Sequence, residues 1–213
     1  MSITADPENL ILTLKNALAT RESVFEAVEG AKLASVLVPL QFHDNKWHII
    51  LNVRSQHVGL HQGEIAFPGG KLESIDKDMF SCALRETWEE MGVLEKDINV
   101  LGNLDVVLTR TNYLVFPVVG TIPHPYQFDT ESNEVAEIIE IPLDALLNEK
   151  ALRHEARLNA DGSVLRRVSF SYGKYLVFGA TAWILNQFIE IIKSFNYTLM
   201  LEEQSDKRPR PIN

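Results

Sequence analysis

The sequence predicts a single mixed α/β domain, and three observations support it. Short apolar runs rich in β-branched residues alternate with stretches of helical apolar spacing, and turn residues separate the two kinds. No internal repeat or linker-like stretch divides the chain, and 213 residues suffice for one domain with a substantial core.

The elements follow in order. Leu10, Leu14, Leu18, Phe25 and Val28 recur at helical spacing, which predicts a helix over 7–30 with Gly30 as its stop. Residues 34–40 and 47–53 are short β-rich runs, and His43-Asp44-Asn45-Lys46 between them reads as a hairpin. Residues 54–63 are polar and loop-like, and 64–67 form a short strand ended by Pro68-Gly69-Gly70. A helix is expected over 78–91, closed by Gly92. Strands return at 99–108 and 113–120, Pro123-His124-Pro125 marks a loop, 134–140 is a further strand, and 143–148 is a helical turn after Pro142. Asp161-Gly162 joins strands at 156–158 and 164–170, and 180–195 is a final amphipathic helix. The chain thus divides into a helical segment at 1–30, the main domain at 31–200, and a polar tail at 201–213 expected to be disordered.

Composition narrows the class. With 20 basic and 29 acidic side chains the net charge is −9, which disfavours nonspecific binding to nucleic acid or an anionic membrane. A polyanionic substrate would need metal ions or local basic groups. The lone Cys82 excludes an internal disulfide and fits a reducing compartment. Residues 1–8 lack a signal-peptide pattern, and Asn186, Gln187 and Glu190 interrupt the apolar stretch 175–192. These features point to a cytosolic protein with no membrane span.

The helix at 78–91 carries the chemistry. At about 100° per residue, with Glu86 at zero, Glu90 falls near 40° and Glu89 near −60°. Phe80, Leu84, Thr87, Trp88 and Met91 fall at about 100–200°, a predicted packing stripe with Trp88 in the core. Cys82 sits on the carboxylate side, one turn before Glu86, as small buried filler. On an exposed helix such a carboxylate cluster is most often a solvated face. What distinguishes this one is Phe67-Pro68-Gly69-Gly70-Lys71 ahead of it, a side-chain-poor turn whose backbone donors suit phosphate oxygens. Hard divalent cations bridge carboxylate and phosphate oxygens, so Mg²⁺ or Mn²⁺ held by Glu86, Glu89 and Glu90 is the expected cofactor. Arg85 is placed to clamp Asp76 or Glu73 and so fix the loop.

Gly70…Arg85-Glu86-Thr87-Trp88-Glu89-Glu90-Met91-Gly92-Val93 resembles the Nudix box. Two departures stand out: Asp76 occupies a position that is usually Glu, and one extra residue separates it from Arg85. The resemblance implies a Nudix fold, with a mixed central β-sheet sandwiched between helices, and hydrolysis of a nucleoside diphosphate linkage. Flanking segments, including Arg54-Ser55…His61-Gln62-Gly63…Phe67-Pro68-Gly69-Gly70 and Asn133-Glu134-Val135, resemble the coenzyme A pyrophosphatases. That subfamily resemblance spans roughly 32–190. It implies cleavage of coenzyme A into 3′,5′-ADP and 4′-phosphopantetheine, and it admits a homodimer. The implied catalytic residues are Arg85, Glu86, Glu89, Glu90 and Glu134. The implied substrate contacts are Arg54, His61, Phe67, Gly69, Gly70 and Lys71. Gly59 stands where the subfamily has a basic residue, and Asn52 replaces its usual Thr. Gly59 keeps other substrates open, ADP-ribose or NADH among them, and a ligand-binding module without turnover remains the rival class.

Overall fold

A computed structural model describes residues 6–20, 28–55, 63–129, 134–158, 162 and 164–206. Helix α1 (Pro7–Ala19) starts at Asp6, whose carboxylate caps the backbone N–H groups of Glu8 and Asn9. Its buried Leu10, Leu14 and Leu18 join the main core, so this segment belongs to the domain. The helix closes at Ala19, and residues 28–30 are not helical, so Gly30 does not stop it as expected; residues 21–27 lie outside the described residues.

Strands β1 (Lys32–His43) and β2 (Lys46–Arg54) form the expected hairpin, each longer than its apolar run. Asp44 and Asn45 turn it with φ of 50° and 59°, the left-handed pair that matches strand twist. A short β3 (Ile65–Ala66) pairs with β2, placing Ala66 opposite Asn52. Gly69–Lys71, expected as a turn, is instead strand β4, with Gly70 opposite Ser35 and Gly69 opposite Val36 of β1. Tertiary pairing overrides the turn preference there, because the glycines let β4 lie close against β1.

Helix α2 (Met79–Met91) opens with a capping box: Asp78 accepts from Ser81 N, and Ser81 Oγ accepts from Asp78 N. It closes at Gly92, at φ 69°, as the sequence predicts. A 3-10 turn (Glu95–Asp97) leads to β5 (Asn99–Asn103), β6 (Val107–Leu108) and β7 (Tyr113–Thr121). Then come β8 (Val135–Pro142) and α3 (Leu143–Leu147). The path β3-β2-β1-β7-β5 forms the main sheet, with β4 on β1, β6 on β7 and β8 on β2. β1 and β7 run parallel and the remaining pairs antiparallel, so the sheet is mixed.

A second, antiparallel sheet comprises β9 (Leu152–Leu158), β10 (Val164–Tyr172) and β11 (Tyr175–Val177). The Asp161-Gly162 turn falls partly outside the described residues. Helix α4 (Gly179–Asp206) runs past the 201 boundary expected for the tail, and residues 207–213 lie outside the described residues. Leu201, Glu202, Glu203 and Gln204 are good helix formers, with no Gly or Pro to stop them.

The central strands are apolar on both faces and alternate between two cores. Val38, Ile49, Leu51 and Val119 face the larger core, which α1, α3 and α4 cover. Leu37, Ile50 and Val118 face the smaller one, under α2. The sheet is therefore sandwiched between helices, and among the described helices α2 covers the face that carries the site.

Candidate active site

Asn52 and Arg54, two apart on β2, face the same side of the sheet as Ile50, toward α2. Glu90 comes down to meet them and is buried, at 4% exposure. Its Oε2 accepts from Asn52 Nδ2 at 2.8 Å and from the Gly69 N–H at 3.2 Å. Its Oε1 lies 3.8 Å from Arg54 Nη1. Burial pushes the Glu90 carboxyl up to about 7; the Glu86 charge adds to that, while Gly69, Arg54 and Asn52 oppose it. Glu86 is also raised, first by burial and further by the charges of Glu89 and Glu134.

The glycines are required by close approach. A Cβ on Gly70 would collide with the Glu86 carboxylate, and one on Gly69 would meet the Ser35 carbonyl oxygen and Val36. β4 thus lies with almost no side chain between its backbone and the carboxylates.

Arg85 organises the rim. It donates to Asp76 from Nε at 2.9 Å and from Nη2 at 3.0 Å, and Nη2 reaches the Lys71 carbonyl at 3.1 Å. Nη1 reaches Glu89 Oε2 at 3.1 Å, and Nη2 stands 3.0 Å from Glu86 Oε1. Asp76 is the clamp partner that the sequence suggested, and Arg85 holds its carboxyl below the ordinary value. Cys82 is buried beneath, its thiol pushed up to about 12 by burial and then by the Asp76 and Glu86 charges, and its Sγ donates to the Lys71 carbonyl. A thiol so protonated is packing, not a nucleophile.

The other predicted residues fall as follows. Lys71 is exposed at the β4 edge, while Phe67 is 4% exposed and packs in the main core, which sets the course of the loop. Glu134 is exposed, its carbonyl accepts from Ser55 N at 2.7 Å, and its charge acts on Glu86 across the site. His57, Gly59 and His61 lie outside the described residues.

Two expectations about α2 change. Trp88 and Phe80, placed in the packing stripe, are 53% and 39% exposed. The buried arc holds Cys82, Ala83, Leu84, Thr87, Glu90 and Met91, and runs from about −40° to about 160° on the same helical wheel. Small Ala83 and Thr87 let the helix sit close to the sheet, which turns Glu90 inward and Trp88 outward. The three glutamates do not surround one point: among the described residues, no three His, Cys, Asp or Glu side chains converge as an ion-holding group. Arg85 draws Glu89 to the rim, at 47% side-chain exposure, while Asn52 and Gly69 draw Glu90 inward.

The donor chemistry nevertheless fits a hard dication. Glu86 and Glu90 present desolvated, mutually repelling carboxylates, a cost that a divalent cation relieves. Beside them Asn52 Oδ1 is buried with no hydrogen-bond partner among the described residues, an oxygen acceptor of the kind such a site uses. Asn52 stands out in the sequence only as a replacement for the subfamily's usual Thr, and the structure places it in the site. The signal was there, since positions 52 and 54 of one strand share a face.

A mixed sheet between helices, with a Gly-Gly strand pressed against helical glutamates, defines a phosphate-handling hydrolase scaffold. The NUDIX domain model matches residues 32–161, and the chain belongs to the Nudix hydrolases. Members of that family generally use divalent metal ions on nucleotide derivatives. The chain is 33% identical over 184 residues to the uncharacterized Nudix hydrolase NudL of Citrobacter koseri, covering 84% of this chain and 95% of that relative. It is 38% identical over 114 residues to the mouse peroxisomal coenzyme A diphosphatase NUDT7, covering 54% of this chain and 48% of that protein. The crystal structure of a MutT/nudix family protein from Enterococcus faecalis shares the fold, with a TM-score of 0.50 and 17% identity, covering 93% of this chain and 73% of that one. No helix among the described residues is long and apolar enough to cross a membrane.

Proposed function

We propose that this Nudix hydrolase cleaves the diphosphate linkage of coenzyme A or its derivatives, releasing 3′,5′-ADP and 4′-phosphopantetheine. The observation that carries the proposal is the contact of the Gly69-Gly70 strand with Glu86 and Glu90 beneath a local cation, Arg54. The similarity to the mouse coenzyme A diphosphatase and the Arg54-Ser55…Phe67-Pro68-Gly69-Gly70 segment support the choice of substrate.

Glu86 and Glu90 would hold the Mg²⁺ or Mn²⁺, joined by Glu89 when Arg85 releases it. The cation supplies charge neutralisation at the diphosphate oxygens and makes water a better nucleophile. With no side chains at Gly69 and Gly70, the β4 backbone lies directly against the carboxylates of Glu86 and Glu90, beside which a cation-bound phosphate group would sit. Arg54 offsets the negative charge that a diphosphate brings to an acidic protein. Glu89 or Glu134, both close enough to act electrostatically on Glu86, orients or deprotonates the attacking water. Attack at phosphorus breaks one P–O bond of the anhydride and leaves two phosphomonoesters.

Gly59 favours a second reading, in which the same machinery acts on ADP-ribose or NADH because a basic phosphate contact is missing. A panel of coenzyme A, ADP-ribose and NADH, with and without Mg²⁺, separates the two. Coenzyme A giving the largest metal-dependent kcat/KM upholds the proposal, and coenzyme A ranking last defeats it.

A further inference from the structure

Asn52 is the least conspicuous member of the cluster, a neutral strand residue with 1% exposure. Its Nδ2 donates to Glu90 Oε2 at 2.8 Å, and the same oxygen takes the Gly69 N–H at 3.2 Å. Two donors on one oxygen fix the rotation of the carboxylate and set Oε1 on the side of Arg54, 3.8 Å from Nη1. The Asn52 Oδ1 lies in the same buried space and accepts nothing among the described residues. Buried amide oxygens are almost always paired, so this one marks a place made for a donor, such as water hydrating a cation.

We propose that Asn52 is a positioning residue: it orients Glu90 for cation binding and offers Oδ1 to the cation's hydration shell. The inference rests on the site described above being the metal-dependent one. A chain hydrogen-bonded to a ligand carboxylate controls its basicity and direction, and loss of such a partner typically costs roughly 10- to 100-fold in metal affinity or activity. Because Asn52 acts through Glu90, its loss should lower kcat more than it raises KM.

The test is a titration of the metal alone. Mn²⁺ is added to wild type, Asn52→Leu, Asn52→Ala and Asn52→Thr, each shown to be folded by near-ultraviolet circular dichroism, and its Kd is read by calorimetry. We expect Mn²⁺ to bind roughly tenfold or more weakly to the Leu and Ala variants. The Thr variant keeps a hydroxyl donor and should fall between them and wild type. A Leu or Ala variant that folds and binds Mn²⁺ within about threefold of wild type overturns the proposal, whatever its activity. Should one of the two fail to fold, the other decides. If wild type binds Mn²⁺ but hydrolyses none of the panel substrates, the functional proposal falls while the Kd comparison still judges Asn52.

Discussion

Arg85 holds Asp76 through two parallel hydrogen bonds, Nε to Oδ1 at 2.9 Å and Nη2 to Oδ2 at 3.0 Å. The Asp76 side chain is 2% exposed, so this bidentate pair forms almost out of water. It ties the connection between β4 and α2 to the face of the helix that carries the glutamates. The chain has one residue more between these two positions than the family box, and the clamp still closes.

Asp76→Asn should therefore destabilise the protein by about 2 kcal/mol, less than the roughly 3–5 kcal/mol typical of a broken buried pair, because Glu86 and Glu89 still partner Arg85. Urea unfolding measures this, and an unchanged midpoint would show that the clamp is ornamental. Arg85→Lys should lower activity as well, since an ammonium cannot make the forked contact.

Glu86→Gln and Glu90→Gln are each expected to lose about 10²-fold or more in kcat with Mg²⁺, the scale of a removed positioned acid–base or ligand group. Both substitutions preserve shape and relieve a carboxylate that burial disfavours, so the folded state should be at least as stable. Normal turnover in either variant would remove that residue from the machinery.

Glu90 also sets a pH dependence. Its folded carboxyl titrates at about 7 against 4.5 for an ordinary glutamate, so the folded chain holds this proton more tightly than the unfolded one. Raising the pH from about 4.5 to 7 strips the unfolded chain first, and without metal the protein should lose stability across that window, on the order of 3 kcal/mol from this group. Mn²⁺ needs the ionised carboxylate, so its affinity should rise through the same range and level off above it. Thermal unfolding and Mn²⁺ titration at pH 5.5, 6.5 and 8 measure both trends. Glu90→Gln should flatten the stability profile, and a wild-type profile that is already flat refutes the assignment.

Gly70→Ala places a methyl group where the Glu86 carboxylate lies. The side chain must swing away, and we expect at least a tenfold loss of kcat, with a stability cost of about 1–3 kcal/mol from overpacking. Gly69→Ala meets backbone atoms of β1, which cannot swing, so its stability cost should be the larger of the two. Equal unfolding midpoints for these variants and wild type would count against the close packing of β4.

Local chemistry made much of this molecule legible in advance. Asp78 and Gly92 bound α2 because a capping carboxylate and a residue free to adopt positive φ are local requirements. The Asp44-Asn45 turn and the spacing of Leu10, Leu14 and Leu18 are local in the same way. The Arg85–Asp76 clamp was foreseeable because loop and helix are joined by only a few residues.

The sequence by itself thus determined the α/β class, the helix bearing Glu86, Glu89 and Glu90, and the glycines placed before it. Only the tertiary structure decided how α2 rotates on the sheet, which sends Trp88 to solvent and Glu90 inward to Asn52. It also decided that Gly69–Lys71 is a strand and that Arg85 divides the glutamates between rim and interior. The reason is physical: a helical wheel gives angles between residues but no zero, and that zero is set by contacts with β1 and β2, strands about 25 to 60 residues away in the chain.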